Sequence, residues 1–151
     1  MKKIISFICM LMCCFLISSC GASHIEDTNG EDISLCSLTE EEIFAESPSY
    51  LSFGSAMTQL NNNYSFKVSK LSGVYKLDKF SAKGGILVIS ANTVLEEGNL
   101  RIVLICEDEY VADIPVGENQ SVTVDDPSGK YEIRLAAESA KLQFEFTYEI
   151  R

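Results

Sequence analysis

Few side chains in this sequence are of types that do chemistry, and their spacing limits what they can do. There is one histidine, His24. Nucleophilic catalysis needs a base held against a nucleophile, and no partner is spaced to meet His24. Carboxylates gather at Glu107-Asp108-Glu109, with Asp113 close by, and again at Asp125-Asp126. Oxygen-rich clusters of this kind hold Ca²⁺, or act as an acid–base pair when burial raises one pKa. They are also ordinary turn formers that keep strand ends in water, which is the plainer reading. No histidine–cysteine cluster has the spacing of a metal site. No glycine-rich loop opens a helix to cradle phosphate. The sequence thus implies no cofactor and no metal. A carboxylate hydrolase is the enzyme class left to weigh against a non-enzymatic binding module.

Lys67, Lys70, Lys76, Lys79 and Lys83 stand together, opposed in that stretch only by Asp78. A basic strip of this kind suits an acidic glycan, a teichoic-type polymer or an acidic protein. It suits equally an acidic segment of its own chain. The bland alternative is edge protection, in which lysines on an outer strand discourage sheet-to-sheet pairing.

The remaining reactive group is a thiol. Lys2 and Lys3 precede an apolar run from Ile4 to Ile17 that is interrupted only by Ser6. About 14 residues is the length of a signal-peptide core. A membrane-spanning helix needs about 20. Small residues Ser18 and Ser19 then lead to Cys20. Leu16-Ile17-Ser18-Ser19-Cys20 resembles the lipobox of bacterial lipoproteins. The resemblance implies cleavage before Cys20 and attachment of two or three fatty acyl chains there. Each buried methylene contributes about 0.8 kcal/mol, so several chains hold where one is marginal. A secretory cut after Ala22 and a retained signal anchor are the competing fates. Cys9, Cys13 and Cys14 lie within the leader as apolar filler.

Three segments follow from this: a signal peptide over 1–19, a lipidated acidic tether over 20–49, and a domain over 50–151. The whole chain carries a net charge of −10, and losing Lys2 and Lys3 makes it −12. That excludes nucleic acid, whose binding relies on cationic neutralisation of phosphate. It also disfavours adhesion of the domain surface to anionic headgroups. From His24 to Ser49 there are eight acidic residues and no Lys or Arg. Like charges keep such a segment extended. A coil of about 29 residues spans roughly 30 Å on average and about 100 Å when stretched. Within it, Thr39 and Glu42 have the spacing of a capping box, Ile43 and Phe44 are placed to dock on the domain, and Pro48 ends the helical turn. Cys36 and Cys106 form an even pair, and an extracytoplasmic setting permits a disulfide between them.

After Pro48 the apolar period changes to two. Tyr64, Phe66 and Val68 alternate with polar residues, and Leu142, Phe144, Phe146, Tyr148 and Ile150 do so most strictly. Alternation over that length is a strand with one buried face. Further strands are expected over 74–80, 85–91, 100–106, 110–116, 120–124 and 130–136, separated by turn signals such as Ser72-Gly73 and Gly98-Asn99. Runs at Ile86–Ile89 and Ile102–Ile105 are apolar on both faces, as in central strands covered on both sides or strands with one face open to a partner. About eight short strands at this spacing make an all-β, antiparallel β-sandwich. Asp126-Pro127-Ser128-Gly129-Lys130-Tyr131 resembles the corner before a core strand in immunoglobulin-like sandwiches, with Gly129 in the turn and Tyr131 facing inward. An immunoglobulin-like or jelly-roll-like layout is what that resemblance implies.

The sequence reading is therefore a lipid-anchored, extracytoplasmic module at the cell membrane or the outer membrane. Its partner is an envelope protein or a glycan. The alternative is an accessory subunit, assembly factor or inhibitor acting through an edge strand or loops. Replacing the thiol tests the placement. Cys20→Ala should abolish incorporation of labelled fatty acid and leave full-length precursor, and normal processing of that variant refutes it.

Overall fold

The computed structural model describes residues 36–151. The leader, Cys20, His24 and the first part of the acidic segment lie outside the described residues. The described part holds one short helix, α1 (Glu40–Phe44), and six strands: β1 (Tyr50–Leu60), β2 (Asn63–Lys83), β3 (Ile86–Cys106), β4 (Glu109–Ile114), β5 (Gln120–Asp125) and β6 (Ser128–Ile150). Every pairing is antiparallel. The strand order is β1-β2-β6-β3-β4, with β5 also paired to β3.

The expected all-β sandwich is present, but six strands build it rather than about eight. Three pairs of expected strands are fused into β2, β3 and β6. The signals taken for turns at Ser72-Gly73 and Gly98-Asn99 sit inside continuous strands, where the register slips: between Val68, Leu71 and Gly73 in β2, and between Leu95, Glu97 and Asn99 in β3. Extra residues in one strand bend it. At Gly98 φ is +79°, and a Cβ there would run into the backbone of Glu138 and Ser139. β1 was not expected, because Tyr50 to Leu60 shows no alternation.

The bends give the sandwich its two layers. One contains β5, the first half of β3, the second half of β6 and the first half of β2. The other contains β4 and the remaining halves of the same three strands. Rings close the gap between layers: Phe66 stacks on Tyr75 at 5.0 Å, and Phe80 on Tyr148 at 4.1 Å. Leu87, Ile89, Ile102, Leu104, Ile133, Leu135 and Phe144 fill the interior. Tyr131 faces inward as expected and stacks on Phe80 at 5.8 Å.

A second, smaller core lies on the outer face of the second layer. Val74, Val103, Ile105 and Ala136 pack there against Ile43 of α1, which is 0% exposed. This explains why Ile102–Ile105 reads as apolar on both faces: one face lines the sandwich and the other lies under α1. The helix begins as expected. Thr39 Oγ1 accepts from the Glu42 amide at 3.3 Å, and the Thr39 amide donates to Glu42 Oε2 at 2.8 Å. Ile43 and Phe44 dock on the domain as expected, and Cys36 and Leu38, expected in the extended tether, pack there too. Polar contacts fix its far end. The Arg134 guanidinium, 0% exposed, donates to the carbonyls of Ile43 at 2.7 Å and Ala45 at 3.0 Å, and also bonds Glu132. It thereby satisfies carbonyls that a helix end leaves free.

Arg134→Met should release residues 36–49 from protection against amide hydrogen exchange. It should also lower stability to denaturant by about 3 kcal/mol, since Glu132 loses a buried partner. Unchanged protection at Ile43 would show that Arg134 does not hold the helix.

Candidate functional site

The structure separates the residues singled out by sequence. The five lysines all lie on β2, which is an interior strand between β1 and β6. β1 covers β2 only from Asn63 to Gly73, so Lys67 and Lys70 guard no edge, whereas Lys76, Lys79 and Lys83 lie where β2 pairs with β6 alone. Lys67 and Lys70 sit opposite Ala56 and Phe53, and Lys83 ends the strand opposite Ser128. Lys76 donates to the Glu46 carbonyl at 2.6 Å and lies 3.8 Å from Glu132, while Lys79 pairs with Glu132 at 2.8 Å. Two of the five are thus engaged within the fold, one of them with the acidic segment.

The carboxylates occupy turns. Glu107 and Asp108 form the tip between β3 and β4 with φ of +50° and +69°, and Asp108 faces Arg134 at 3.6 Å. Asp113 pairs with Arg101 at 3.0 Å. Asp125 ends β5, and Asp126 takes a positive φ in the turn after it. Among the described residues no group of three or more His, Cys, Asp or Glu converges to hold a metal. Cys36 and Cys106 are free thiols. Cys106 packs against the inner core and Cys36 against the core under α1. The sheet stands between them, and the disulfide that an extracytoplasmic setting permits is not formed. Burial pushes the Cys36 thiol pKa upward.

Two surfaces remain that the sequence did not disclose. The first is a groove of about 530 Å³ on the outer face of the first layer, the face α1 leaves uncovered. Register places its lining in two parallel rows. Thr58, Ser65, Glu145 and Asn92 are successive cross-strand neighbours, and Asn92 Oδ1 accepts from the Asn119 amide at 2.7 Å. Leu60, Asn63, Thr147, Ser90 and Ser121 form the second row. Neighbouring strands lie about 4.8 Å apart, so five of them give a trough about 19 Å long. Most of its lining residues are Ser, Thr, Asn or Gln. Glu145 is its single carboxylate, and no lysine or arginine lines it. Glu145 Oε1 accepts from Gln143 at 3.0 Å and from Ser65 at 3.4 Å. On the inner face of the same strand, burial raises the Tyr64 hydroxyl pKa, helped by the neighbouring Asp78 and Tyr148. Nothing in the sequence marked this surface, because its polar residues are simply the outward half of each alternating strand.

The second surface is β1. All eleven of its residues are exposed, with Leu51 at 79% and Phe53 at 76%. Among the described residues it pairs with β2 alone, on one side.

No protein-family model matches the chain, and no curated protein matches it. Solved structures give distant likenesses. One, described as "CBM4 structure and function", has a TM-score of 0.38 and 8% identity, over 65% of this chain and 79% of that one. Another is a Drosophila melanogaster CENP-C cupin domain, with a TM-score of 0.27 and 11% identity, over 63% of this chain and 77% of that one. At these levels neither likeness carries an activity or a ligand to this chain.

The charge cluster beneath α1 sets an acid limit. Burial works to raise the Glu132 carboxyl, but the bonds from Lys79 and Arg134 outweigh it and hold the group below its usual value. A depressed folded-state pKa stabilises fully above the unfolded value of about 4.3, and the contribution fades as pH falls through the lower folded value. Residues 36–49 should therefore stay docked at pH 5 and detach only in stronger acid. Hydrogen exchange across a pH series checks this, and Glu132→Gln should remove the acid step.

Proposed function

We propose that this protein is a non-enzymatic binding module of a bacterial cell envelope, held at the membrane through lipid on Cys20. Its ligand is an uncharged, hydroxyl-rich chain, which makes a glycan the fitting class. The observation that carries this reading is the groove across five strands, lined by Ser, Thr, Asn and Gln. Side-chain amides and hydroxyls offer both donors and acceptors, as sugar hydroxyls do. Without a lysine or arginine in the lining, the groove has no counter-charge for an anionic polymer. Its one carboxylate is also one fewer than glycoside hydrolysis uses, which supports binding rather than cleavage.

The competing reading is an accessory subunit that joins an envelope protein by strand addition. The open edge at β1 favours it, and a purified chain indifferent to glycans would strengthen it.

Titration with neutral oligosaccharides from envelope polysaccharides, followed by calorimetry, tests the groove. Asn92→Ala and Glu145→Ala should each weaken binding about tenfold, or about 1.4 kcal/mol. Equal affinity in both variants would place the ligand elsewhere.

A further inference from the structure

The open edge at β1 has a pattern that identifies its occupant. Among the six strands, β1 alone contains no charged residue. Long, uncharged, apolar edges are what proteins ordinarily suppress with lysine, proline or a cover, because they pair with another strand. Tyr50, Leu51, Phe53, Met57 and Leu60 are all large and exposed here. β1 is also the strand at which two copies of a negatively charged protein can meet without charge facing charge.

We infer that β1 pairs antiparallel with β1 of a second copy of this chain about a two-fold axis at Ser55. The residue order is self-complementary in that register. Phe53 faces Met57 of the other copy, and Tyr50 faces Leu60. Ser52 faces Thr58, a pair that can exchange a hydroxyl hydrogen bond. Gly54 faces Ala56, small against small. Large apolar pairs of this kind contribute about 0.2–1 kcal/mol each across neighbouring strands. A two-fold interface requires that one surface complement itself, and this strand meets that requirement in four of its five facing pairs. The exception is Leu51 against Gln59. The axis also passes beside Gly54, whose φ of +62° lies opposite the bend in β2. A two-fold perpendicular to the sheet keeps both cores on the same side, so the two bends run in line. Pairing uses the sheet's edge; it shares Thr58 and Leu60 with the end of the groove and leaves the lining on β2, β6, β3 and β5 open. It therefore does not depend on what the groove binds.

The register makes a single-cysteine test decisive. Facing residues on antiparallel strands have Cα atoms about 4.5–5.5 Å apart, within disulfide range. The full chain carrying Ser55→Cys, oxidised mildly in intact envelopes, should run at twice its mass on a non-reducing gel. The wild type, with its own thiols, should not. Ser52→Cys alone should stay single, whereas Ser52→Cys combined with Thr58→Cys should cross-link. Adding Met57→Lys to Ser55→Cys should cut the dimer at least tenfold while circular dichroism stays unchanged, since Met57 is exposed. A Ser55→Cys chain that remains single, cross-links equally well through Ser52→Cys, or joins a protein of another mass overturns the inference.

Discussion

The whole fold depends on β6 holding backbone pairs on both sides at once. β2 pairs with it from Ser128 to Thr147, and β3 from Tyr131 to Ile150. A ribbon of three strands this long would leave one apolar face in water if it stayed flat. The slips near Leu71, Glu97 and Ala140 let it fold over instead. Leu135 in one half and Phe144 in the other then share a single interior. An uncompensated one-residue slip would turn the alternation of β6 inside out, and the slips at the fold-over fall beside Gly73, Gly98 and Ala140.

The two outer faces of the sandwich are managed in opposite ways. The second layer is apolar outside and is covered by α1, with Arg134 buried beneath the helix end. Burying a guanidinium costs free energy that its ion pair need not repay. Its use is positional: its donors fit carbonyls that only this docking of Ile43 and Ala45 supplies. The first layer keeps its outer face polar and uncovered, so a trough forms there. Cover on one side and openness on the other come from the same alternation, read with valine and isoleucine in one half and serine, threonine and asparagine in the other.

Much of this was legible in the sequence. The alternation from Leu142 to Ile150, the capping box at Thr39 and Glu42, and the double-sided apolar run at Ile102–Ile105 each predicted what the structure contains. The strand count was not legible, because Gly73 and Gly98 signal a chain reversal and a strand bulge alike. β1 was missed for a related reason. A strand with neither face buried has no alternation to display. The docking of Ile43 and Phe44 was legible beside the capping box, but that of Cys36 and Leu38 was not, because nothing in their polar surroundings marks them as buried. The groove could not be seen at all, since only register brings Thr58, Ser65, Glu145 and Asn92 side by side.

The position of β6 in the chain has a kinetic consequence. The strand that every layer needs comes after all the others in sequence, and its partners lie up to about 80 residues back. Contacts of such separation form slowly and late. Until β6 emerges, β2 and β3 have no common neighbour and the sandwich cannot close. Synthesis order itself thus acts as a brake on closing the sandwich.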